Sequence, residues 1–277
     1  MLVPLAGGGQ ETLLSEVGFV LLPLFTTRDA CALRLVCREF LAAVREHPWE
    51  DRDTVIQGSI AAWRACFPNA RCANVQQCGW LGALNKRSVP VVDADFVHFE
   101  GLRELHMASC KDVTDAAFVH LRGIHTLDMS YCSQLAITDA SFAHLAGIQR
   151  LSLCYCDQAT ITDAAFAHLR GIQLLNMSLC RQLTDAAFVH LRGIHTLYMW
   201  ACSQPAITDA AFVHLRGIHS LVMQGCYQAT ITGATFAHLK GISALGMADC
   251  RGGQAATARS LGLPVHMRYG TSAGALW

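Results

Sequence analysis

One pattern governs what this chain can fold into. VTDAAFVHLRGIHTLDMSYC, residues 113–132, recurs as ITDASFAHLAGIQRLSLCYC (137–156), ITDAAFAHLRGIQLLNMSLC (161–180), LTDAAFVHLRGIHTLYMWAC (183–202) and ITDAAFVHLRGIHSLVMQGC (207–226). A weaker copy, ITGATFAHLKGISALGMADC, covers 231–250, and a degenerate first copy, DADFVHFEGLRELHMASC, covers 93–110. Cys110, Cys132, Cys156, Cys180, Cys202, Cys226 and Cys250 mark the copies at spacings of 22, 24, 24, 22, 24 and 24. The two-residue variation always falls just after the Cys-x-Gln element, so it belongs to a loop on one edge of a stacked array.

Each copy holds two elements. Leu127-Asp128-Met129 and its equivalents alternate apolar with polar and predict a short strand. The Thr-Asp-Ala-Ala-Phe-x-His-Leu stretch predicts a short helix. Thr114, Thr138, Thr162, Thr184 and Thr208 are its N-caps, and the Asp that follows favours the positive end of the helix. Gly123, Gly147, Gly171, Gly193 and Gly217 end it. One copy cannot bury its Phe, Leu, Ile and Met, but stacked copies can, with one parallel sheet inside an arc and helices outside.

This pattern resembles the cysteine-containing subclass of leucine-rich repeats, common in F-box proteins. The resemblance implies an α/β solenoid: a horseshoe with a parallel concave sheet and short convex helices. Seven repeats occupy 93–250. Residues 53–92 supply a linker helix and an N-terminal capping repeat, whose strand lies in Phe67 to Cys78, followed by a longer loop over 79–92. Residues 251–277 supply a C-terminal cap, with a helix over 255–261 and a strand over 265–267, and a loose tail.

Residues 13–52 carry no repeat. Leu33, Val36, Cys37, Phe40 and Val44 recur at helical spacing, in a helix that starts at Asp29 and ends at Pro48. A shorter helix, Glu16 to Leu22, precedes it. This stretch resembles the F-box, in Leu13, Glu16 and Val17, then Asp29, Leu33, Val36, Cys37, Arg38 and Phe40, then Trp49. Leu14 and Gly18 depart from the family, which has Pro and a large apolar residue there. The resemblance implies a small all-helical domain that docks on the Skp-type adaptor of a cullin ubiquitin ligase. The adaptor contacts it implies are Leu13, Glu16, Val17, Leu21, Leu33, Val36, Phe40 and Trp49. The architecture is also similar to F-box proteins of large DNA viruses, for which the ligase is the host's. Residues 1–12 are expected to form a flexible N-terminus.

Composition narrows the function classes. Lys and Arg total 21 and so do Asp and Glu, which gives no electrostatic case for nucleic acid. The longest apolar run, Val17 to Phe25, is far short of the about 20 residues that span a membrane. The N-terminus lacks the basic start of a signal peptide, and the 13 cysteines read as reduced thiols of an intracellular protein, cytoplasmic or nuclear. Cys66, Cys72 and Cys78 are six apart, too widely spaced for the paired ligands of a zinc module. His98, His120, His144, His168, His190, His214 and His238, one per copy, form a surface ladder rather than a metal site. There is no phosphate loop, nucleophile elbow or paired-carboxylate motif. The expectation is a chain that is not an enzyme and carries no cofactor or metal.

The residues flanking each strand leucine are the most varied part of the repeat and are expected to face the concave solvent side. His106, Asp128, Tyr131, Ser152, Tyr155, Asn176, Tyr198, Trp200, Val222 and Gln224 are the candidate contacts for a target protein. The alternative is a stand-alone leucine-rich-repeat binding module with no link to ubiquitin.

Overall fold

A computed structural model of the chain describes residues 22–35, 38–77 and 89–267. Its centre is one nine-stranded sheet whose strands lie side by side in sequence order, with every pair parallel. The strands are β1 (Cys72–Asn74), β2 (Glu104–His106), β3 (Thr126–Asp128), β4 (Arg150–Ser152), β5 (Leu174–Asn176), β6 (Thr196–Tyr198), β7 (Ser220–Val222), β8 (Ala244–Gly246) and β9 (Val265–His266). The repeat leucine sets the register: Leu105 pairs with Leu127, Leu127 with Leu151, and so on to Leu245. The chain is an α/β solenoid, a leucine-rich-repeat horseshoe.

The core is a set of columns, one residue per copy. Phe118, Phe142, Phe166, Phe188, Phe212 and Phe236 are all fully buried, as are Met107, Met129, Met177, Met199, Met223 and Met247. Truncating such a phenylalanine to alanine costs about 3–5 kcal/mol. The convex elements are short, between the single α-turn of Asp185–Phe188 and the seven-residue 3-10 stretches of Asp115–Leu121 and Asp163–Leu169. A 22- or 24-residue copy leaves no length for more. Each ends at a glycine in the left-handed region, such as Gly123 at φ +82°. A Cβ there would meet nothing within 4 Å, so backbone conformation alone selects the glycine.

Polar ladders run along the stack beside the apolar columns. The thiol of each repeat cysteine donates to a carbonyl of the copy before it, as Cys156 does to Met129 at 3.1 Å and Cys180 to Leu153 at 3.1 Å. The Gln158 amide likewise donates to the Cys132 carbonyl at 3.0 Å, and Gln228 to that of Cys202 at 3.0 Å. These bonds satisfy carbonyls that leave the sheet at the insertion-prone edge, where a buried unpaired group would cost about 1–3 kcal/mol.

Both ends are closed. On the N-terminal side, β1 adds one strand, and helix α1 (Thr27–Leu33), helix α2 (Arg38–Glu46) and helix α3 (Ile60–Cys66) precede it. The single helix expected from Asp29 to Pro48 is two helices. The first starts two residues earlier than expected, because Thr26 is the N-cap and Asp29 is the N3 partner of a capping box. It ends at Arg34, whose N–H closes on the Ala30 carbonyl. On the C-terminal side lie helix α4 (Gly252–Ser260) and β9. The expected helix 16–22 lies outside the described residues but for its last residue, and the N-terminal 1–12, most of the 79–92 loop and the tail beyond 267 lie outside them entirely. No helix among the described residues is long and apolar enough to cross a membrane.

Candidate functional site: the concave face

Strand alternation puts Leu127 and its equivalents in the core and the flanking residues on the concave side. The flanking residues are less open than the alternation implies. His106, Asp128, Ser152, Asn176 and Gln224, expected to face solvent, are buried. Parallel strands stand about 4.8 Å apart, so on the inside of an arc the longer side chains of neighbouring strands cover the shorter ones. Asp128 spends its carboxylate inside the face: Ser130 donates to it at 2.5 Å and lies 2.8 Å from Ser152. The accessible surface belongs to Tyr155, which is exposed, and to Tyr131, Tyr198, Trp200 and Val222, which are half-buried.

The tyrosines owe their position to the backbone. The residue before each repeat cysteine leaves the strand in the left-handed conformation, with φ of 62° at Tyr131 and Tyr155, 63° at Leu179 and 52° at Ala201. Only copy six has a glycine there, Gly225. For other residues the conformation costs about 1–2 kcal/mol, offset by a hydrogen bond into the next copy, as from Tyr155 N–H to the Ser178 carbonyl at 3.0 Å. Identical turns on adjacent copies launch Tyr131 and Tyr155 in parallel. Their rings stack with centroids 4.7 Å apart and planes 18° from parallel. Burial pushes the Tyr198 phenol above its ordinary pKa, with Arg150 acting the other way.

At the N-terminal end of the same face, β1 and β2 bring together Cys72, Glu104 and His106, all buried. One donor atom from each lies within 4.8 Å of the others. His106 Nε2 is 2.7 Å from Glu104 Oε1, and Arg52 reaches Glu104 Oε2 at 2.7 Å. Burial raises the Glu104 pKa, but the hydrogen bond and charge of His106 and the charge of Arg52 outweigh it and hold it below the usual carboxylate value. Sequence spacing did not suggest this group, because its members meet only through strand register. Cys66, six residues from Cys72 in sequence, contacts Arg34 instead, and Cys78 lies outside the described residues.

The convex histidines stand on the surface as a ladder that links copies: His120 Nδ1 lies 2.7 Å from Glu100, and Arg122 Nε lies 3.4 Å from His144 Nδ1. The repeat thiols are poor nucleophiles. Burial pushes Cys202 up to about 12, and does the same in direction for Cys132, Cys156, Cys180 and Cys226.

Of the residues expected to meet an adaptor, Leu13, Glu16, Val17, Leu21 and Val36 lie outside the described residues, and of Leu33 only the backbone, the last residue of α1, is described. Phe40 is half-buried on α2. Trp49 corrects the expectation. It is 1% exposed, its indole N–H donates to the Val44 carbonyl at 2.8 Å, and its ring meets Phe67 edge-on at 5.6 Å. It ties the helical segment to the solenoid and has no free surface for another chain.

No known family model matches the sequence, and no curated protein does. Solved structures do. The chain is similar to internalin C2 from Listeria monocytogenes at 17% identity, over 73% of this chain and 84% of that one, with a TM-score of 0.52. It is similar to a chain of the Drosophila Toll–Spatzle complex at 13% identity, over 77% of this chain and 32% of that one, with a TM-score of 0.54. A match in the yeast Rad7–Elc1 complex has 19% identity and a TM-score of 0.43, over 52% of this chain. The chain spans 42% of that protein. At these identities the likeness is one of fold.

Proposed function

We propose that the chain is a receptor, not an enzyme, that holds a target protein on its concave face and docks through residues 13–52 on a Skp-type adaptor of a cullin ubiquitin ligase. The observation that carries the first half is the accessible row of Tyr131, Tyr155, Tyr198 and Trp200. It stands on a scaffold whose core and ladder positions barely change from copy to copy. Large aromatic side chains with little rotamer entropy are the residues that dominate protein interfaces. The second half rests on the sequence resemblance of residues 13–52 to the F-box. Exposed apolar residues on and beside the N-terminal helices, Leu24 (77%) and Leu35 (80%), support it.

Trp49 favours a second reading. Its packing on Phe67 suits a helical cap that closes the solenoid, in a binding module with no ligase. Co-expression of the full chain with a Skp-type adaptor separates the two. The receptor reading expects a complex that survives gel filtration and is lost in the surface double variant Leu24→Asp/Leu35→Asp. Failure of the unaltered chain to hold the adaptor favours the capped module.

A further inference from the structure

We propose that Cys72, Glu104 and His106 form a zinc-type divalent-metal site at the N-terminal end of the concave sheet. Cys72 and Glu104 are direct partners across β1 and β2, and His106 is two residues further along β2. All three side chains therefore leave the same face of the sheet. The three are nearly inaccessible, at 3%, 7% and 5% exposure, so the donors are held by packing. One thiol, one carboxylate and one imidazole are a donor set that suits zinc and excludes the all-oxygen preferences of magnesium and calcium.

The geometry needs little change. Zinc ligands at about 2.0–2.3 Å in a tetrahedron stand about 3.3–3.6 Å from one another. The donors already lie within 4.8 Å, and the 2.7 Å contact between His106 and Glu104 opens by less than about 1 Å as the metal replaces the shared proton. Binding releases the Cys72 thiol proton to solvent, and the proton between His106 Nε2 and Glu104 moves to Nδ1 or, where Nδ1 already carries one, also leaves to solvent, so that the imidazole binds in its neutral form. Arg52 keeps its bond to Glu104 Oε2, where it orients the carboxylate from outside the coordination shell. Arg52 also anchors the cap, since its carbonyl accepts from Asn74 of β1 at 2.7 Å. The metal would thus lock β1, β2 and the chain before β1 into one unit. His106 becomes a ligand and leaves the set of target contacts. A charge network of Arg52, Glu104 and His106 with no metal affinity is the competing account.

Titration of the reduced, chelator-treated full chain with Co²⁺, followed by displacement with Zn²⁺, decides between them. The site predicts one equivalent of Co²⁺ with thiolate-to-cobalt charge-transfer absorption, abolished by Zn²⁺ and retained in Cys66→Ser. Cys72→Ser removes the thiolate band. His106→Gln weakens binding by at least the about 10–100-fold that even outer-shell partners contribute, and it decides the question if Cys72→Ser does not fold. No thiolate band in the unaltered chain, or undiminished binding in His106→Gln, overturns the proposal.

Discussion

The Asp163 carboxylate accepts two hydrogen bonds from Thr184 of the next copy, one from the backbone N–H at 2.9 Å and one from the hydroxyl at 2.6 Å. The Thr184 hydroxyl in turn accepts from Ala186 N–H at 3.2 Å and so caps its own helical turn. The same relay links Asp93 to Thr114, Asp115 to Thr138, Asp139 to Thr162, Asp185 to Thr208 and Asp209 to Thr232. It stops at copy seven, where Gly233 stands in the aspartate position and its own N–H is taken by Asp209. Each aspartate thus fastens a copy to the one after it, and the threonine joins that fastening to the start of the helix.

Asp163→Ala breaks one rung. Two charge-assisted bonds go, and the Thr184 N–H loses its acceptor. The expected cost is about 2–4 kcal/mol, from the strength of hydrogen bonds to charged groups. Urea unfolding followed by circular dichroism measures it. Asp112→Ala, in an exposed loop, serves as the control with no such loss expected.

The pH dependence follows from groups whose pKa differs between states. Burial raises the Asp115 carboxyl, but hydrogen bonds from Ser141 and Thr138 outweigh it and leave the pKa below the ordinary 3.8. Glu104 is likewise held below 4.5. As pH falls, the unfolded chain takes up these protons first, so the stability is present above those values and is lost as pH drops through the folded ones. Burial of His47 lowers its pKa below 6.5 and adds a smaller loss in the same direction, starting nearer neutrality. The buried thiols act at the other end. Cys202 rises from 9.0 to about 12, so its contribution is full below 9 and fades as pH climbs. Urea midpoints are expected to peak near neutral pH, fall steeply below about pH 4.5 and decline above about pH 9.

Thiol chemistry reads the stack directly. Cys110, Cys132, Cys156, Cys180, Cys202 and Cys226 are buried, whereas Cys31 is exposed and Cys66 half-buried. A thiol-reactive probe on the reduced native chain is expected to leave those six unmodified and to label Cys31. All six are expected to react together once urea unfolds the array, as mass mapping would show.

Trp200→Ala removes a half-buried ring from the concave face without touching the core columns. Binding of a captured target is expected to fall by about 10-fold or more, the about 2 kcal/mol of an aromatic hot spot, with the unfolding midpoint unchanged. Equal recovery by pull-down would remove Trp200 from the contact set.

The repeat and the parallel sheet were legible because each copy states the same apolar pattern. Leu-x-Met reads as a strand in six of the seven copies, and Thr-Asp as a helix start in the five copies between 113 and 226. The aspartate's main role was not legible, since its partner Thr184 is 21 residues away and belongs to another copy. Helix-terminus reasoning assigned that charge to its own helix. Alternation also identified which residues face the concave side but not which are accessible. Ser152 and Asn176 face it and are covered, because crowding in a curved ladder depends on the neighbouring strand's side chains. Trp49 misled for a related reason: a motif residue was assigned to a partner, but Phe67 of the same chain covers it. Cys72, Glu104 and His106 became a group only once register set β1 against β2.

The most direct test of the concave face as the target site is site-specific photocrosslinking in cells, with a photoreactive phenylalanine at Tyr155 or Trp200, or at Val119 or Val189 on the exposed convex surface. Discrete adducts to a common partner from the first two positions, and none to it from the convex pair, are the expected result. Adducts confined to the convex positions, or an absence of adducts at Tyr155 and Trp200, would contradict a target-binding role for the inner face of the solenoid.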